Sequence, residues 1–523
     1  MAKSSQKRIS DVITPDLIST WKPQNNILIA APMGSGKSYF CKNVLYDFAQ
    51  KTGGKILMLI HRANCVEQFQ HEIKEDGKED IIKVITYQSL EADRLYNNSN
   101  KYNLSDYQFI VCDEFHYFFN DSSFNNKTAI SFNMVMSNKE SVHVFMSATG
   151  DHMARYMRKY IKENGLEEAI QYELPPDFSF MKSLTFFHKD NTMEEFIREG
   201  IEKGDKGIFF IQSAEKAYKL YLKYKKYCVF NCSANNKNYY KFVDKEKIRN
   251  ILINQKFEEQ FLITTACFDA GINIIDMDVK HIVIDIVDIG SLIQCMGRKR
   301  IQSPDDKVNV YIKIINNQKL AGLRRNMEQK VEMADYYIAN NYAVDKLIEK
   351  YPMQNDMNNI LYDDLVYDSQ GKIIPNSYKK RVNEPMYFKK KEDIADYTIM
   401  LKKYGDFGYC KYLAVMFGFY DERTGIYKYR MINEEYELNS YLGKMVKDDV
   451  VLLQVRDRAE LIKKINAKQD GKLLKKIGTL NQVLEEREID YRIKEFATTR
   501  YITDDQGNKK KKVYKNAWKV VPF

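Results

Sequence analysis

The pattern of hydrophobic and polar positions repeats along the first 316 residues of the chain. Short apolar runs, which are typical of strands buried on both faces, alternate with longer stretches that carry apolar residues at helical spacing. This alternation predicts parallel sheets joined by right-handed crossovers, with the functional loops gathered at the carboxyl ends of the strands. The strand-like runs lie at 26–31, 56–60, 107–112, 142–146, 207–211, 261–264 and 308–314.

The alternating region is interrupted once, and it ends well before the end of the chain. The adjacent prolines of ELPPD at 173–177 predict a linker at 173–184, which separates a domain at 1–172 from a second at 185–316. A chain of 523 residues is too long for one core, so several domains are expected. The remaining residues, 317–523, are predicted to form a mainly helical C-terminal domain with a terminal β-hairpin.

Within this C-terminal third, apolar residues recur at helical spacing in 323–340 and 458–496, with a break at 469–471. The hairpin is predicted at 500–515, with its turn at 504–508. The aromatic-rich segment 406–420 can fill a small helical core or stack on unpaired bases, and the sequence leaves both interpretations open. The fold class is therefore α/β, with two tandem parallel-sheet domains followed by helices and a hairpin.

Composition adds limits to this picture. With 44% hydrophobic and 29% charged residues the chain is predicted to be folded and soluble. No run reaches the ~18 apolar residues that span a bilayer, and the first residues lack an apolar signal core, so a cytoplasmic protein without a membrane partner is expected. The eight cysteines are scattered, and Cys228 and Cys232 lack a second pair, which favours buried free thiols over a zinc site.

The formal charge of +10 is unevenly distributed. Residues 451–523 contain 18 Lys and Arg against 10 Asp and Glu, and this local excess suggests a polyanion partner, although a solvated face has the same composition. The run Lys509–Lys512 is either a protected sheet edge or a set of phosphate contacts.

A glycine-rich turn follows the first strand-like run and precedes a helical stretch. Glycines let backbone N–H groups approach phosphate oxygens, and the helix N-terminus adds positive potential. In this arrangement Lys37 reaches the β and γ phosphates and Ser38 ligates Mg²⁺, so the turn is predicted to be a phosphate-binding loop. It comprises Ala31, Pro32, Met33, Gly34, Ser35, Gly36, Lys37 and Ser38, with Ala31 where the usual pattern has its first glycine.

Two adjacent carboxylates follow the run at 107–112. A charge at the end of a buried strand is costly unless it meets a cation, so Asp113 is predicted to hold Mg²⁺ and Glu114 to polarise the attacking water. Ser147 and Thr149 follow another strand-like run, where their hydroxyls can bond to neighbouring carboxylates and couple the nucleotide state to other parts of the molecule. A simple polar turn would have the same sequence.

The segments APMGSGKS, DEFH and SAT occur in this order, and together they resemble the motifs of superfamily 2 helicases of the DExH-box type. The resemblance covers roughly residues 15–316. It implies two RecA-like domains, ATP and Mg²⁺ in the cleft between them, and a single strand of DNA or RNA lying across both. By the same resemblance His116 belongs to the catalytic set, and Asp269 and Gly271 face the nucleotide.

The resemblance also assigns residues that contact nucleic acid. Hydroxyl, amide and basic groups at the ends of parallel strands suit phosphate contacts, which position a strand without reading its sequence. The residues matched to these motifs are His61, Arg62, Thr86, Tyr87, Gln88, Gln212, Ser213, Thr264 and Thr265.

The segment SLIQCMGRKR at 291–300 resembles the sixth motif, in which arginines of the second domain reach the γ phosphate. Ser291 is predicted as the N-cap of its helix, and Gln294 and Arg298 as members of the catalytic set. The family has a second arginine where this chain has Ile301, and Arg300 is the nearest substitute. On a continuing helix Arg300 would face away from the cleft, whereas a helix that ends near Gly297 would let it enter.

Three functions are consistent with the sequence. The first is an ATP-dependent helicase or translocase on DNA or RNA. The second is an ATP-gated clamp or recruitment factor that grips nucleic acid without separating strands and engages a protein partner through the C-terminal domain. The third is a motor that acts on protein. Residues that would form a nuclease centre do not stand out in the C-terminal third, so cleavage is not predicted.

Overall fold

The computed structural model describes most of the chain, and the described residues fall into two compact units. The first lies within 1–185 and 190–430, and the second within 186–189 and 431–523. Among the described residues, no helix is both long and apolar enough to cross a lipid bilayer. The described residues are 8–32, 34–61, 63–96, 101–120, 128–148, 150–266, 273–352, 360–367, 373–432, 434–469, 472–487, 489–503 and 509–523.

The first domain is built around a parallel sheet of six strands in the order β3-β2-β4-β5-β1-β6. Its elements are α1 (Ile9–Val12), α2 (Pro15–Ile18), β1 (Asn26–Ala30), α3 (Lys37–Tyr39), α4 (Tyr46–Thr52), β2 (Ile56–Ile60), α5 (Ala63–Glu75), β3 (Ile82–Thr86), α6 (Tyr87–Tyr96), β4 (Phe109–Cys112), α7 (Tyr117–Asn120), α8 (Thr128–Ser137), β5 (Val142–Ser147), α9 (Gly150–Asn164) and β6 (Ile170–Glu173). A π-helical turn, Phe40–Leu45, joins α3 to α4.

The apolar runs form strands because both faces of this sheet are covered. Ile27 and Ile29 of β1 pack into a core on one face, while Leu28 between them packs into a core on the other. Every strand pair in the sheet is parallel, from β3 to β6. Continuous apolar runs are expected for strands in this position, since successive side chains point to opposite faces.

The second domain has a second parallel sheet, in which six strands lie in the order β7-β12-β11-β8-β10-β9. The pairs among β8 to β12 are parallel. Its elements are β7 (Met181–Phe187), α10 (Asp190–Lys203), β8 (Lys206–Ile211), α11 (Ala214–Lys223), β9 (Cys228–Phe230), α12 (Lys237–Tyr240), α13 (Lys245–Asn254), β10 (Phe261–Thr264), β11 (Val279–Asp285), α14 (Ile289–Met296) and β12 (Val308–Lys313).

Among the elements that follow β12 in the first compact unit, helix α17 (Glu384–Lys402) packs against the first domain. The Phe388 ring lies 5.4 Å from the ring of Tyr156, and the Asn383 side chain donates a hydrogen bond to Thr128 Oγ1 at 2.9 Å. These elements are α15 (Asn317–Ala339), α16 (Val344–Lys350), β13 (Leu361–Tyr367), β14 (Ile373–Val382), α17 (Glu384–Lys402), α18 (Gly408–Met416), β15 (Tyr420–Asp421), β16 (Ile426–Tyr427) and β17 (Arg430–Ile432).

The second compact unit has its own core, which includes Leu442, Ile465, Leu480 and Trp518. Its long hairpin is formed by the last two strands, with β18 paired to the base of the final strand. The elements are α19 (Glu434–Lys447), β18 (Val451–Leu452), α20 (Ala459–Ile465), β19 (Lys468–Gln469), β20 (Lys472–Leu473), α21 (Ile477–Glu486), β21 (Tyr491–Thr503) and β22 (Lys509–Pro522).

The predicted fold class is confirmed: two tandem parallel-sheet domains of the RecA-like kind, then a mainly helical region and a terminal hairpin. The helical interpretation of 458–496 is wrong beyond Glu486, because Ile493 is buried between two exposed neighbours, which is the period of a strand. The predicted turn at 504–508 lies outside the described residues. The boundaries predicted at 172, 184 and 316 stay predictions.

Two further expectations concern side chains. All the described cysteines except the half-buried Cys65 are buried, as predicted. In the aromatic segment 406–420, Tyr409 and Leu413 of α18 are fully buried, which favours the helical core over base stacking.

Candidate active site

The order of strands in the first sheet explains why distant sequence segments meet. Strand β5 lies between β1 and β4, with Ala30 opposite Ser147 and Cys112 opposite Phe145. The loops that follow these three parallel strands therefore emerge side by side at one edge of the sheet, where ligands of such folds usually bind. The phosphate-binding loop and the DEFH turn form one wall of a cleft.

The loop after β1 has the backbone of a phosphate cradle. Gly34 and Gly36 have φ angles of 84° and 88°, and Gly36 is the residue from which α3 begins. Residues with a side chain rarely adopt this left-handed region, so both glycines are required by the conformation of the turn. The Lys37 ammonium donates hydrogen bonds to the carbonyls of Ala31 at 2.8 Å and Pro32 at 3.3 Å, which holds it across the mouth of the loop.

The two carboxylates at the end of β4 differ in how strongly their surroundings favour the ionised form. Burial, and then the neighbouring Glu114 carboxylate, raise the pKa of Asp113. Burial also disfavours the charged form of Glu114, but contact with His116 and the charges of Lys37 and Arg298 outweigh it and lower its pKa. Burial lowers the pKa of Lys37. Glu114 is thus the carboxylate kept ionised by its surroundings, while the charge on Asp113 requires a further cation.

Glu114 is held in an unusual backbone conformation. Its φ is 53°, in the left-handed region that is uncommon for a residue with a long side chain. The amide of the next residue, Phe115, donates to the carbonyl of Met146 in β5 at 2.8 Å, and this bond helps to fix the turn. Such strained residues cluster at functional sites.

A side-chain contact joins the DEFH turn to the second domain. His116 Nδ1 lies 3.3 Å from Glu114 Oε2, and His116 Nε2 lies 2.8 Å from the side-chain amide nitrogen of Gln294. The amide N–H of Gln294 can donate only to an unprotonated ring nitrogen, which leaves the proton on Nδ1, facing Glu114. His116 and Gln294 are both buried, so the contact is shielded from solvent.

Both arginines of the segment 291–300 enter the cleft. Helix α14 ends at Met296, and the chain then turns at 297–298 and makes a β-bridge from Lys299 to Ile274, so the helix does not continue to Arg300. This is the alternative in which Arg300 can enter the cleft. Arg300 Nε donates to Asn273 Oδ1 at 2.7 Å, and a Cβ added to Gly34 would lie 3.6 Å from Arg300 Nη1, so Arg300 reaches the phosphate-binding loop. Burial and the charge of Arg298 lower the pKa of Arg300 to about 10.

Arg298 is the more enclosed of the two, with 5% of its surface exposed. Its Nε is buried and makes no hydrogen bond within the part of the chain that the structure describes. Ile301, which occupies the family position of the second arginine, is exposed. Ser291 is not the N-cap: α14 begins after Asp288, whose carboxylate accepts the amide N–H of Ser291 at 2.7 Å, because the helix starts one turn earlier than predicted.

A buried ion pair holds the arginine segment in place. Lys299 Nζ contacts Asp306 Oδ2, and both side chains are fully buried. Main-chain bonds join the same segment to Ile274, which donates to the carbonyl of Arg298 at 2.7 Å and accepts from the amide of Arg300 at 2.8 Å. Because neighbouring side chains on either side of a β-bridge residue point away from it, fixing Lys299 on the protein side directs Arg298 and Arg300 into the cleft.

Replacing Lys299 by methionine is expected to lower the free energy of unfolding by about 3–5 kcal/mol, because the Asp306 carboxylate would stay buried without its partner. Urea unfolding followed by circular dichroism measures the change. The double variant Lys299→Met with Asp306→Leu should recover most of the loss, and Lys307→Met, which changes an exposed lysine nearby, should have little effect. Equal stability of Lys299→Met and the parent would contradict this role.

The residues matched to nucleic-acid contacts do not all reach the surface. His61, Gln212 and Thr265 line the cleft, while Thr86 and Gln88 are half-buried near the end of β3. Two assignments are corrected. Tyr87 is fully buried, where its ring stacks on Tyr117 and its hydroxyl donates to the carbonyl of Asp113 at 2.8 Å.

Thr264 is the second correction, because it is fully buried at the end of β10 and its hydroxyl donates to the carbonyl of Thr265 at 3.3 Å. Two other matched hydroxyls serve the local backbone: Ser213 caps α11 by accepting from Lys216 N, and Thr86 accepts the amide N–H of Ser89 at 3.0 Å. Ser147 is buried, and its carbonyl accepts from the amide of Ala31. Met33, Arg62, Thr149, Asp269 and Gly271 lie outside the described residues.

The cleft also contains residues that sequence reasoning missed. The cavity has a volume of about 1330 Å³ and includes side chains of α15 and α17 as well as both sheet domains. These helices belong to the part of the chain without a recognised motif, so the sequence did not indicate that they contribute to the site. The missed residues include Asn273 and, on these two helices, Leu323, Met327, Lys390, Asp393 and Tyr397.

The donors and acceptors at this site fit a nucleoside triphosphate with Mg²⁺. Lys37, Arg298 and Arg300 supply positive charge, and the exposed Ser38 lies in the same cavity as Asp113. Asp113 Oδ1 is buried and makes no hydrogen bond among the described residues. No group of three or more His, Cys, Asp or Glu residues that could hold a metal ion occurs in the described ranges.

Comparison with protein families gives a match to the first domain. Residues 2–152 match the family described as "Type III restriction enzyme, res subunit". The match covers less than a third of the chain. It supports the resemblance to superfamily 2 helicases at the level of this domain, and the DExH-box subtype stays a prediction. No curated protein matches the chain significantly.

Several solved helicase structures are similar to part of the chain. Dbp5 of S. cerevisiae, bound to RNA and ADP BeF3, is 17% identical over 56% of this chain and 79% of its own, with a TM-score of 0.41. HrpB, a DEAH/RHA helicase of Escherichia coli, is 14% identical over 58% of this chain and 42% of its own, with a TM-score of 0.40. The Hef helicase domain of Pyrococcus furiosus is 13% identical over 58% of this chain and 95% of its own, with a TM-score of 0.36. TM-scores this low carry no argument about function.

Proposed function

We propose that this protein is an ATP-dependent motor that couples ATP hydrolysis in the cleft to movement along a nucleic-acid strand. The observation that carries the proposal is the composition of the cleft. One domain supplies Lys37, Asp113 and Glu114, and the other supplies Arg298 and Arg300. Such a site is complete only when both domains contribute to it, so the state of the nucleotide and the arrangement of the domains are linked.

Each group has a role that its surroundings support. Lys37 and the amides of the phosphate-binding loop would bind the β and γ phosphates, and Ser38 and Asp113 would hold Mg²⁺, which supplies charge neutralisation on the phosphate oxygens. Glu114, ionised by contact with His116, would orient the attacking water and accept its proton. Arg298 and Arg300 would stabilise the charge that develops as the γ phosphate is transferred.

The contact between His116 and Gln294 supports coupling between the domains. When Gln294 donates to the His116 ring, that ring keeps its proton toward Glu114, so a movement of α14 changes the environment of the general base. A strand gripped by the second domain would thereby influence hydrolysis in the first. We propose that nucleic acid stimulates hydrolysis through this contact, with His61, Gln212 and Thr265 at the strand-binding surface.

The proposal predicts ATP hydrolysis that nucleic acid stimulates. A panel of single- and double-stranded DNA and RNA, tested in a coupled ATPase assay, identifies the stimulating polymer. Lys37→Ala should lose at least about a hundredfold in hydrolysis, because the group that neutralises the β and γ phosphates is removed. Lys51→Ala, which changes an exposed lysine of α4, is the matched control and should keep full activity.

The same panel separates the alternatives. Hydrolysis that no nucleic acid stimulates would contradict the proposal, and the absence of nucleic-acid binding at low salt would favour a motor that acts on protein. A strand-displacement assay on a forked substrate distinguishes a helicase from an ATP-gated clamp, since robust unwinding by the isolated chain excludes a clamp that only grips.

A further inference from the structure

The terminal hairpin is much longer than the core that supports it. Strands β21 and β22 pair from Tyr491 opposite Pro522 to Thr503 opposite Lys509, with one shift of register between Phe496 and Thr498. Only the base of β22 has a further partner in its sheet, since β18 pairs with it at Trp518 and Lys519. The outer part, which we call the distal ribbon, comprises 498–503 and 509–515 and has two strands only.

Burial separates the base of the hairpin from the distal ribbon. At the base, Ile493, Trp518 and Val520 are buried and join the core of the second unit. In the distal ribbon both faces are exposed. Tyr501 is 72% and Val513 59% exposed on one face, although each would contribute to a core if one were present, and Arg500 and Lys512 are exposed on the other. An isolated two-stranded hairpin is marginally stable in water, so this part is not explained by packing.

The distal ribbon is basic on both faces. Directly opposed residues of an antiparallel pair share a face, and neighbouring pairs face opposite ways. Tyr501 with Lys511 and Thr503 with Lys509 therefore lie on one face, and Arg500 with Lys512 on the other. Residues 500–515 contain six basic residues and two acidic ones, and neither acidic residue belongs to the described strands.

Two basic residues of the distal ribbon lie where their repulsion destabilises the hairpin. Arg500 lies directly opposite Lys512, and like charges in this arrangement are destabilising. A ribbon whose lysines only discourage edge pairing would gain from acidic residues opposite them across the strands. Because both faces of the ribbon are basic, a complementary partner has to present negative charge to each face. Such a partner encloses the ribbon.

We propose that the distal ribbon binds double-stranded DNA by entering the major groove, with Lys509, Lys511 and Lys512 contacting phosphates of the two groove walls. The major groove of B-form DNA, about 12 Å wide, admits a two-stranded β-ribbon and has phosphates on both sides. An anionic membrane surface would be met by one basic face only. The major groove of A-form RNA is deep and narrow, which excludes a ribbon of this width.

This binding surface lies on the second compact unit and uses none of the cleft residues. The inference rests on the proposed function only in that both assign a nucleic-acid partner. It adds a duplex contact to the single strand that the cleft is proposed to follow. Lysine contacts to phosphates carry no sequence information, so the ribbon is expected to bind duplex DNA of any sequence and to anchor the motor on it.

The test uses the full-length chain with Lys509→Gln, Lys511→Gln and Lys512→Gln combined. Fluorescence anisotropy with a labelled 30-base-pair DNA duplex should show binding weakened at least about tenfold at low salt. The slope of log affinity against log salt should also become less steep by roughly 2 to 3, because each phosphate that is no longer neutralised removes ~0.9 from it. The matched control combines Lys444→Gln, Lys447→Gln and Lys463→Gln, three exposed lysines of the same unit outside the hairpin strands, and should bind like the parent.

Misfolding is excluded by a thermal melt of the variant. Because the change removes the like-charge pair between Arg500 and Lys512, the melting temperature should be equal to or above that of the parent. Parent-like duplex affinity and salt slope in the ribbon variant would overturn the proposal, even if single strands still stimulate hydrolysis. Tighter binding to the same duplex made of RNA, or to vesicles of anionic phospholipid, would also overturn it.

The two proposals can fail separately. If hydrolysis is indifferent to nucleic acid while duplex DNA binding depends on the three lysines, the ribbon proposal stands and the motor proposal falls. In the ribbon variant, stimulation by a short single-stranded oligonucleotide should equal that of the parent, because the cleft residues are unchanged.

Discussion

Glu114→Gln is expected to reduce ATP hydrolysis by a factor of about 10² to 10⁴ while nucleotide binding is retained. General-base catalysis contributes a factor of this size, and glutamine keeps the shape of the side chain but cannot accept a proton from water. The binding groups, Lys37 and the phosphate-binding loop, are unchanged by the substitution. Stopped-flow measurement of the hydrolysis step, together with binding of a fluorescent ATP analogue, separates the two effects.

A neighbouring carboxylate offers a matched comparison. Asp113→Asn is expected to weaken the binding of Mg²⁺ and ATP together, so its defect should be partly recovered at high Mg²⁺, whereas that of Glu114→Gln should not. The burial that raises the pKa of Asp113, and the contacts that lower the pKa of Glu114, predict this division of roles. Full hydrolysis by Glu114→Gln would show that another group orients the attacking water.

Arg298→Ala is expected to give the second large effect, a loss of about 10³-fold or more in the rate of hydrolysis. An arginine that reaches the γ phosphate contributes 10³ to 10⁵ in comparable sites, and its removal takes away charge stabilisation in the transition state. Arg298 is almost completely buried and directs an unpaired Nε into its surroundings, within the part of the chain that is described. Nucleotide binding should change much less than the rate.

Arg300→Ala is expected to have a smaller effect on the rate and a larger one on binding, because Arg300 is already tied to Asn273 and lies against Gly34 of the phosphate-binding loop. Ile301→Ala, at the exposed neighbouring position, is the matched control and should resemble the parent. Single-turnover rates and ATP affinity for the three variants decide the assignment. Retention of full hydrolysis in Arg298→Ala, with its loss in Arg300→Ala, would reverse it.

Much of the site could be predicted because its residues have strong local signatures. The sequence APMGSGKS predicts a turn with glycines in the left-handed region, and Gly34 and Gly36 adopt it. The pair Asp113 and Glu114 at a buried strand end implied charges that need partners, and the site supplies Lys37 and His116. In these cases the chemistry depends on a few consecutive residues, so local sequence is sufficient.

Other predictions failed where burial depends on the packing of distant elements. Tyr87 and Thr264 belong to segments that resemble strand-contacting motifs, but the sheet covers both side chains. Ser291 is a good N-cap by composition, yet Asp288 starts the helix one turn earlier. Apolar spacing continued the helical pattern through Ile493, whereas pairing with β22 makes this residue part of a strand.

The sequence by itself determined the class of fold and the chemistry of the phosphate-binding loop, because apolar periodicity and glycine spacing act over a few residues. Only the tertiary structure decided that Arg298 and Arg300 both enter the cleft, since this depends on where α14 ends and on the buried pair of Lys299 and Asp306. It also decided that α15 and α17 line the same cleft and that the distal ribbon lacks a core. These features arise from contacts between residues far apart in the chain, which no local pattern records.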